Sequence, residues 1–538
     1  MSRAEATAVP VREATVATAA PVLERLRAAL SGRLLTVWGP VVVMVIAALT
    51  RLWAIGAPNV LVFDETFYVK DAWSLWHLGY EGSWQGTSID RLFASGHVNG
   101  FLTGPSYVAH PPLGKWIIGL GEVLTGGANP AGWRVSVAVV GILAVALLML
   151  VTHRMFRTPL VTVLAGFLLA IDNQAIVMSR VALLDNMVMF FALAGFACIL
   201  EDRFWTERRF AAWLVHREHG VGAWGPTLLW RPWLLGAGVA FGLDSAVKWS
   251  GLYFLVAFTA YSIATDMMLR RRAGVRFWYS ASLLKQAPAT LLALVPAALV
   301  TYVISFTGYL LSPTHYFSSD APWKGAFAWV PKPFQDLLHW HHDIYGFHTG
   351  LATPHPYSAP AILWPLIARP TSMYWDGASS AGGDGCRFRV CASAITDLPN
   401  PLIWYAGIAA TIYLLVRFAR RHEWQAGLIL MGYVGGYLPW LLYPKRTMFF
   451  FYSIAFEPYL VLCLAATLGL LVLRPAATDD PDEIVAAEAR YGMRVRRGIV
   501  IAFLGIAVLL SAFFFPLDSA MQTPYWFWQA HMWSTTWI

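Results

Sequence analysis

The chain has 538 residues and a formal net charge of +8, and 57% of its residues are hydrophobic while only 13% are charged. Because soluble domains average roughly 25% charged residues, this composition excludes an ordinary soluble domain and indicates a protein that is mostly embedded in a membrane. The positive charge does not indicate nucleic-acid binding, since the basic residues cluster at the ends of apolar segments, as in membrane proteins.

Apolar windows of about 20 residues predict an all-α integral membrane protein with about eleven transmembrane helices. The predicted spans are 37–56, 133–152, 159–173, 181–201, 232–247, 250–269, 287–311, 402–418, 425–443, 448–473 and 498–516. Residues 1–36 are predicted to be a cytoplasmic N-terminal tail. Since no cleavage-type site follows the first apolar run, we expect that span to be retained in the protein.

The distribution of basic residues predicts the orientation of the spans. Five short connecting segments are basic and are predicted to be cytoplasmic: 153–159, 201–210, 266–274, 417–424 and 490–497. Two large loops, 57–132 and 312–401, fall on the opposite side and are rich in Trp, Tyr, Pro and His. The positive-inside rule therefore makes these two loops extracytoplasmic, and chemistry is expected there.

Four cysteines divide into two kinds. Cys198 and Cys463 lie within predicted spans, where buried thiols are ordinary packing residues. Cys386 and Cys391 lie five residues apart in "GCRFRVC" of the second large loop. This spacing predicts a small disulfide-closed turn in an oxidising compartment, with a metal-binding pair as the alternative.

Two adjacent carboxylates, Asp64 and Glu65, follow the first span in "VLVFDETFYVKDAW". One interpretation is that Asp64 caps the helix that begins there. The other is catalytic, because five cations map to the outer ends of spans, against the positive-inside bias: Lys115, Arg134, Arg180, Lys248 and Arg446. The side chain of any one of these cations could simply extend to the membrane–water interface. Five at one level predict an anion site, and a membrane-borne anion at that depth is a lipid phosphate.

Two further residues are candidates for organising this site. Asp185 lies five residues beyond Arg180, so it either pairs with that arginine or is satisfied by a neighbouring helix. His110 precedes Pro111 and Pro112, which stiffen the chain, so it is either held toward the site or part of a turn. The histidines at 339, 341, 342, 348 and 355 suit an interfacial segment better than a metal site, and no metal is predicted.

A lipid phosphate beside a carboxylate suggests transfer of a group from a polyprenyl phosphate to an acceptor hydroxyl. The leaving phosphate is already a stable anion that cations can stabilise, so no general acid is needed. One carboxylate acting as a base would suffice to remove the proton of the hydroxyl.

Six segments resemble, in chain order, the protein O-mannosyltransferases, especially the actinobacterial branch. They are "FDETFYVKDAW", "HPPLGKW", "SRVALLDNM", "VKWSGLYF", "HPYSAPAILWPLIARP" and "RTMFFFYSIAFEPY". The resemblance implies a GT-C-type glycosyltransferase fold, with a transmembrane catalytic domain over 37–473. Residues 474–538 would then hold a cytoplasmic linker, the last transmembrane helix and an outer C-terminal tail.

The same resemblance implies an activity and a set of site residues. Mannose would pass from polyprenyl-phosphate-mannose to Ser or Thr hydroxyls of exported proteins at the outer face of the plasma membrane, β-linked mannose becoming α-linked, with no cofactor firmly implied. Asp64 matches the family's catalytic base, and Glu65 matches the acidic residue next to it. Arg134 would either bind the donor phosphate or organise the acidic site. Arg446 and Tyr452 match a late lipid-proximal motif of the family. Segment 312–401 is too short for the soluble β-trefoil domain of the eukaryotic relatives.

The sequence leaves two alternatives and one delivery route open. A related lipid-linked sugar transferase would modify a glycolipid or wall polymer instead of a protein. A lipid or sugar transporter or flippase would place its charges at mid-depth and often show internal repeats, neither of which is apparent here. Acceptor proteins would be met while still extended, delivered by the Sec translocon.

Overall fold

The computed structural model describes residues 32–127, 129–215, 223–380, 386–473 and 483–538. Most of the predicted tail 1–36 and the segment 474–482 of the predicted linker lie outside these residues.

The first part of the chain is one bundle helix followed by a structured loop. A π-helical turn, Leu34–Trp38, leads into α1 (Gly39–Leu52). The loop then forms α2 (Glu65–Leu78), β1 (Gly82–Trp84), α3 (Ile89–Ala94), β2 (Phe101–Pro105) and α4 (Leu113–Thr125). Strands β1 and β2 pair antiparallel, so the predicted outer loop is a compact layer of short elements.

The middle of the chain is almost entirely helical. Its elements are α5 (Pro130–Phe156), α6 (Pro159–Ile171), α7 (Asn173–Met178), α8 (Asp185–Val215), α9 (Pro232–Val247), α10 (Gly251–Arg272), α11 (Trp278–Ala281), a π-helical turn (Ser282–Gln286), α12 (Ala287–Ser305) and α13 (Thr307–Leu311). Close packing of α9 on α12 depends on two glycines one turn apart. A Cβ at Gly238 or Gly242 would stand 2.5 Å from a carbonyl oxygen of α12, so only glycine allows this approach.

The last part combines a second structured loop with four bundle helices. The loop holds α14 (Lys332–Gly350) and strands β3 (Thr371–Ser380) and β4 (Val390–Asp397). The helices are α15 (Pro401–Arg421), α16 (Trp424–Gly436), α17 (Glu457–Leu473) and α18 (Glu483–Asp518), followed by β5 (Thr523–Pro524) and α19 (Tyr525–Ala530). The three strands form an antiparallel sheet in the order β3-β4-β5, which ties the C-terminal segment to the loop.

Each of the eleven predicted spans overlaps with one helix of the bundle, although several helices extend beyond the predicted limits. Among the described residues, six helices are long and apolar enough to cross a membrane, and three shorter ones, α6, α9 and α17, are also apolar. The protein is therefore a multi-pass membrane protein.

The predicted boundaries need correction in several places. The fourth span begins at Asp185 rather than 181, after a tight turn, and its helix continues to Val215, so the basic segment 201–210 is helical. The basic segment 490–497 likewise belongs to α18. The ninth and tenth spans give way to 3₁₀ turns at Leu438–Leu442 and Phe450–Ala455. Periodicity could not reveal these changes, because apolar side chains continue through them.

A disulfide joins Cys386 to Cys391, whose Cα atoms lie 5.9 Å apart. It closes the hairpin region between β3 and β4. Cys391 pairs in register with Pro524 of β5, so the bridge lies next to the point where the C-terminal segment joins the sheet.

Candidate active site

Asp64 stands immediately before α2, on a strained piece of backbone. Phe63 has a positive φ of 49°, which an aromatic residue rarely adopts, and its ring packs edge-on against Phe449 and Phe451. The Asp64 side chain makes no capping hydrogen bond to the helix. The helix-cap interpretation of Asp64 therefore does not hold, and strain of this kind is typical of functional sites.

Glu65, the next residue, is completely buried and fully bonded. Its carboxylate accepts two hydrogen bonds from Arg134, Nε to Oε1 and Nη2 to Oε2, both 2.8 Å long. The backbone N–H groups of Val62 and Ala182 donate to the same oxygens at 3.0 and 2.9 Å. A carboxylate that already accepts four hydrogen bonds has no free position for a substrate proton. Glu65 thus fixes the start of α2.

Arg134 and Arg180 are structural in the described residues. The remaining hydrogen bonds of Arg134 go to carbonyl oxygens between Ile55 and Val60. Arg180 donates to carbonyl oxygens at the end of α1, from Thr50 to Ala54, and to that of Asp518. Both side chains hold the loop after α1 against α5 and the turn before α8. Neither lines the cavity described below, so this placement does not support a phosphate-binding role for them.

Lys115 also has a protein partner. Its side chain is 1% exposed and forms an ion pair with Glu81. Its Nζ also donates to the His110 carbonyl oxygen at 3.3 Å. Lys115 is therefore engaged by Glu81 and by the backbone of His110 and does not line the cavity described below.

Asp64, by contrast, keeps its carboxylate free. Among the described residues, its side chain accepts a hydrogen bond only from the Tyr68 hydroxyl, at 3.5 Å from Oδ2. Burial raises the pKa of Asp64 to about 6, while Lys248 lowers it and Asp185 raises it. A carboxylate with a pKa near 6 is mostly ionised at neutral pH and more basic than an ordinary aspartate, which suits a general base.

A cavity of about 130 Å³ lies at the loop end of the bundle. It is lined by Lys248, Arg446, Tyr452, His110 and Asp185, five of the residues predicted from the sequence. The Tyr68 ring, whose hydroxyl bonds Asp64, lies 6.1 Å from the ring of His110. Asp64 does not itself line the cavity, but two residues that do, Lys248 and Asp185, act electrostatically on its carboxylate.

Lys248 is placed at this cavity by a break between two helices. Helix α9 ends at Val247, and Lys248 has the extended φ of −146° before α10 begins. Its Nζ donates to Asp185 Oδ2 at 2.6 Å and lies 5.1 Å from the centre of the Tyr452 ring. Asp185 is thus satisfied by a neighbouring helix and not by Arg180.

Arg446 is the least engaged of the predicted cations. Its three hydrogen bonds are long, 3.3 Å to the carbonyl oxygens of His348 and Thr447 and 3.4 Å to His348 Nδ1. It has no carboxylate partner among the described residues, and its guanidinium lies over Trp440 and Tyr452. Because a half-buried guanidinium without an anion favours an anionic ligand, Arg446 can bind a phosphate.

Several residues of the site were not predicted as site residues, because the fold alone brings them together. His348 donates from Nε2 to the Ala109 carbonyl at 2.9 Å, which leaves Nδ1 as an acceptor toward Arg446. Burial, together with Arg446, lowers the pKa of His348 to about 4, so it is neutral at physiological pH. The pKa of His110 is also well below its usual value, owing to burial and then Lys248. Trp249, Tyr253 and Tyr443 also line the cavity.

The histidine-rich segment does not form a metal centre in the part of the chain that the structure describes. No group of three or more His, Cys, Asp or Glu side chains there is arranged to hold a metal. His339 instead contacts Asp320 at 2.9 Å, and His341 contacts the Tyr302 hydroxyl at 2.7 Å.

Comparison with known proteins identifies the family. Residues 41–310 match the family model described as dolichyl-phosphate-mannose-protein mannosyltransferase, and residues 333–537 match the C-terminal four-transmembrane region of protein-O-mannosyltransferase. Two similar relatives, each named polyprenol-phosphate-mannose--protein mannosyltransferase, come from Mycolicibacterium smegmatis and Corynebacterium glutamicum. They are 30% and 28% identical, and the alignments cover 92% of both chains.

A solved structure shows the same fold. The Saccharomyces cerevisiae protein O-mannosyltransferase Pmt1-Pmt2 complex bound to the sugar donor aligns with a TM-score of 0.67, covering 95% of this chain and 94% of that one. Identity is 14%, so this likeness concerns the fold, which is of the GT-C glycosyltransferase type. Two family matches that together span most of the chain, with full-length relatives at about 30% identity, show that the chain belongs to the protein O-mannosyltransferase family.

Proposed function

We propose that this protein transfers mannose from polyprenyl-phosphate-mannose to Ser and Thr hydroxyls of exported proteins, with inversion at the sugar. Family membership makes it a glycosyltransferase, and the names of its relatives supply the mannosyl-phosphate lipid and the protein acceptor. The single observation that carries the catalytic assignment is the division between the two acidic neighbours: Glu65 is bonded by four donors, and Asp64 is free beside a cationic cavity.

In this proposal the donor phosphate lies between Lys248 and Arg446. The two cations approach the Tyr452 ring, at 5.1 and 5.9 Å from its centre, so an anion there would meet both charges. Asp185 holds Lys248, and His348 orients Arg446 through its neutral imidazole. Fixed cations stabilise a leaving phosphate without reorganising during the reaction.

The acceptor hydroxyl would donate its hydrogen bond to Asp64. As its oxygen forms a bond to C1 of mannose, the bond from C1 to the phosphate oxygen breaks on the opposite face, so a β-linked sugar becomes α-linked. The proton passes to Asp64, and the bonding electrons leave on polyprenyl phosphate. One base suffices because the phosphate leaves as an anion.

The active site is proposed to face the extracytoplasmic side of the plasma membrane. Basic residues in the second half of α8 and in the last turns of α10 and α15 support this orientation through the positive-inside rule. Acceptors would be taken as extended chains emerging from the Sec translocon, before folding hides their hydroxyls. We also retain the proposed division into a transmembrane catalytic domain, 37–473, and a C-terminal part, 474–538.

The test compares membranes holding the unaltered protein, Asp64→Asn or Asp90→Asn. Asp90 lies in the same loop but is half-exposed and paired with Lys70, so it is a matched carboxylate without a catalytic role. Each membrane receives labelled mannosyl-phosphoryl-polyprenol and a Thr- and Pro-rich peptide. We expect label on the peptide with the unaltered protein and Asp90→Asn, and near-background label with Asp64→Asn at equal abundance.

Other outcomes separate the alternatives. Equal peptide labelling by Asp64→Asn and the unaltered protein would place the base elsewhere. If label is recovered only in a glycolipid or wall polymer, the protein is a glycosyltransferase, but its acceptor is not a protein. Movement of the lipid across the membrane without any covalent product would favour a flippase.

A further inference from the structure

A second and larger cavity lies at the end of the bundle opposite the catalytic loops. It lies between α8, α10, α15 and α16 and has a volume of about 910 Å³, against 130 Å³ for the catalytic cavity. That volume is at the upper end of the roughly 300–1,000 Å³ typical of small-molecule sites. No residue lines both cavities, so the larger one needs an explanation of its own.

The depth of this cavity corresponds to one leaflet. On α10 it is lined from Ala260 to Arg272, which at a rise of 1.5 Å per residue is about 18 Å. Half of a hydrocarbon core is about 15 Å. Tyr253, which lines the catalytic cavity, lies seven residues before Ala260, so about 10 Å of helix separates the two cavities.

The walls of the cavity are apolar and open to the membrane. Met268, Leu415 and Val434 line it and are 51%, 53% and 38% exposed. Leu430 and Met431 of α16 extend the same surface inward. A lined, open and apolar channel at this depth fits hydrocarbon chains.

The lining of the cavity carries excess positive charge. Four arginines belong to it, against two carboxylates, Glu207 and Asp266. Each of those acids pairs with an arginine, Glu207 with Arg203 and Asp266 with Arg231, which also binds Asp202 behind the wall.

The other two arginines of the lining are exposed, at the mouth of the cavity, and have no acidic partner among the described residues. Arg271 and Arg272, in the last turn of α10, are both exposed and form no ion pair with any described residue. Arg271 lies over the Trp278 ring at 5.3 Å.

Two buried polar atoms in the same wall lack partners. Thr206 is 4% exposed, and its hydroxyl makes no hydrogen bond within the described residues. Arg203 Nε is likewise buried without an acceptor, although its other nitrogens reach Glu207 and Tyr261. Because buried polar groups are usually bonded, these two donors on one cavity wall are available to an acceptor held in the cavity.

We propose that this cavity binds an anionic phospholipid of the surrounding membrane. Its phosphate would accept hydrogen bonds from Thr206 and Arg203 and lie near Arg272, while its acyl chains would follow the apolar walls. Basic pockets between transmembrane helices bind anionic headgroups in this way. The site is independent of the proposed transfer reaction, since it shares no residue with it.

The test counts lipids retained by the purified full-length protein. Native mass spectrometry in detergent would titrate phosphatidylglycerol and phosphatidylcholine with identical acyl chains. The variants are Met431→Trp, which fills the cavity, and Arg271→Gln with Arg272→Gln, which removes both unpaired charges at the mouth. Arg420→Gln is the matched control, because Arg420 is exposed at the same end of α15 but does not line the cavity.

We expect preferential retention of phosphatidylglycerol by the unaltered protein and by Arg420→Gln. The double arginine variant should bind it at least about tenfold more weakly, since each cation near a headgroup contributes about 1 kcal/mol. Met431→Trp should retain neither lipid. Equal binding of both lipids, binding unaffected by these variants, or absence of bound lipid would each overturn the proposal. Preferential retention of added polyprenyl phosphate would also overturn it and assign the cavity to the substrate lipid.

Discussion

Glu65 and Arg134 form a bidentate ion pair in which both side chains are completely buried. The two N–O distances are 2.8 Å, and two backbone N–H groups complete the shell of the carboxylate. Asp64, its neighbour in sequence, has a single long hydrogen bond from Tyr68. The adjacent carboxylates thus differ in their contacts, since that of Glu65 is fully bonded within the fold and that of Asp64 is not, and the proposed roles rest on this difference.

Replacing Glu65 should destabilise the fold. In Glu65→Gln the Arg134 guanidinium stays buried without an anion, and breaking such a pair costs about 3–5 kcal/mol. We expect a clear fall in melting temperature of the purified protein and a parallel loss of transfer. Asp90→Asn, which breaks a half-exposed pair with Lys70, should shift the stability by less than about 1 kcal/mol. Equal melting temperatures for the two variants would contradict the structural role of Glu65.

Asp64→Asn should have the opposite effect on stability. Burial raises the pKa of Asp64 from 3.8 to about 6, so the fold favours the protonated, neutral form. The stabilisation from that neutral form is complete below pH 4 and is lost as the pH rises through about 6. At neutral pH an amide avoids the buried charge, so we expect Asp64→Asn to melt at the same or a higher temperature while losing transfer. A lower melting temperature would mean that Asp64 supports the fold.

The pH profile should report the same group. Only the ionised form of Asp64 can accept a proton, and its pKa is about 6. kcat/KM should therefore be constant above pH 7 and fall about tenfold per pH unit well below pH 6. His348 stays neutral over this range, because its pKa is about 4. A profile without inflection between pH 5 and 7, measured where the protein remains folded, would assign the base to another group.

The sequence predicted the helices well, but it predicted the contacts of the candidate site residues only in part. Lys248, Arg446 and Tyr452, which line the cavity, stood out because each lies at a span boundary or in a family motif. Lys115, Arg134 and Arg180 carried the same signal, yet their partners are protein atoms. Arg134 meets Glu65 across 69 residues.

The reason is that a cation at the end of a span can either pair with a protein carboxylate or bind a ligand, and its position in the sequence does not distinguish the two. The partner is decided by tertiary packing, which spacing along one chain does not encode. His348 shows the converse case. It lay in a histidine-rich segment without a distinguishing pattern, and only the contact of α14 with the 443–452 segment brings its Nδ1 to Arg446.

Arg446 should dominate the affinity for the donor. Charge-assisted hydrogen bonds contribute about 1.5–3 kcal/mol, so Arg446→Ala should raise the KM for the lipid donor by about 10- to 100-fold. Lys445→Ala is the matched control, because Lys445 is exposed and adjacent in sequence but does not line the cavity. The measurement is the rate of peptide labelling as a function of donor concentration. An unchanged donor KM in Arg446→Ala would remove this residue from the phosphate site.

His348 should act through Arg446 as a positioning residue. Its neutral Nδ1 lies 3.4 Å from Arg446 Nη2, and its ring stacks on His110 at 5.3 Å. His348→Phe keeps an aromatic ring but removes both hydrogen bonds, so we expect the donor KM to rise by a few fold, about 1 kcal/mol, with little change in the acceptor KM. His342→Phe, at an exposed position on the same helix, should leave both constants unchanged. In the Arg446→Ala background the His348 substitution should add almost nothing, because the residue through which it acts is gone. Additive losses in the double variant would show that His348 contacts the donor independently.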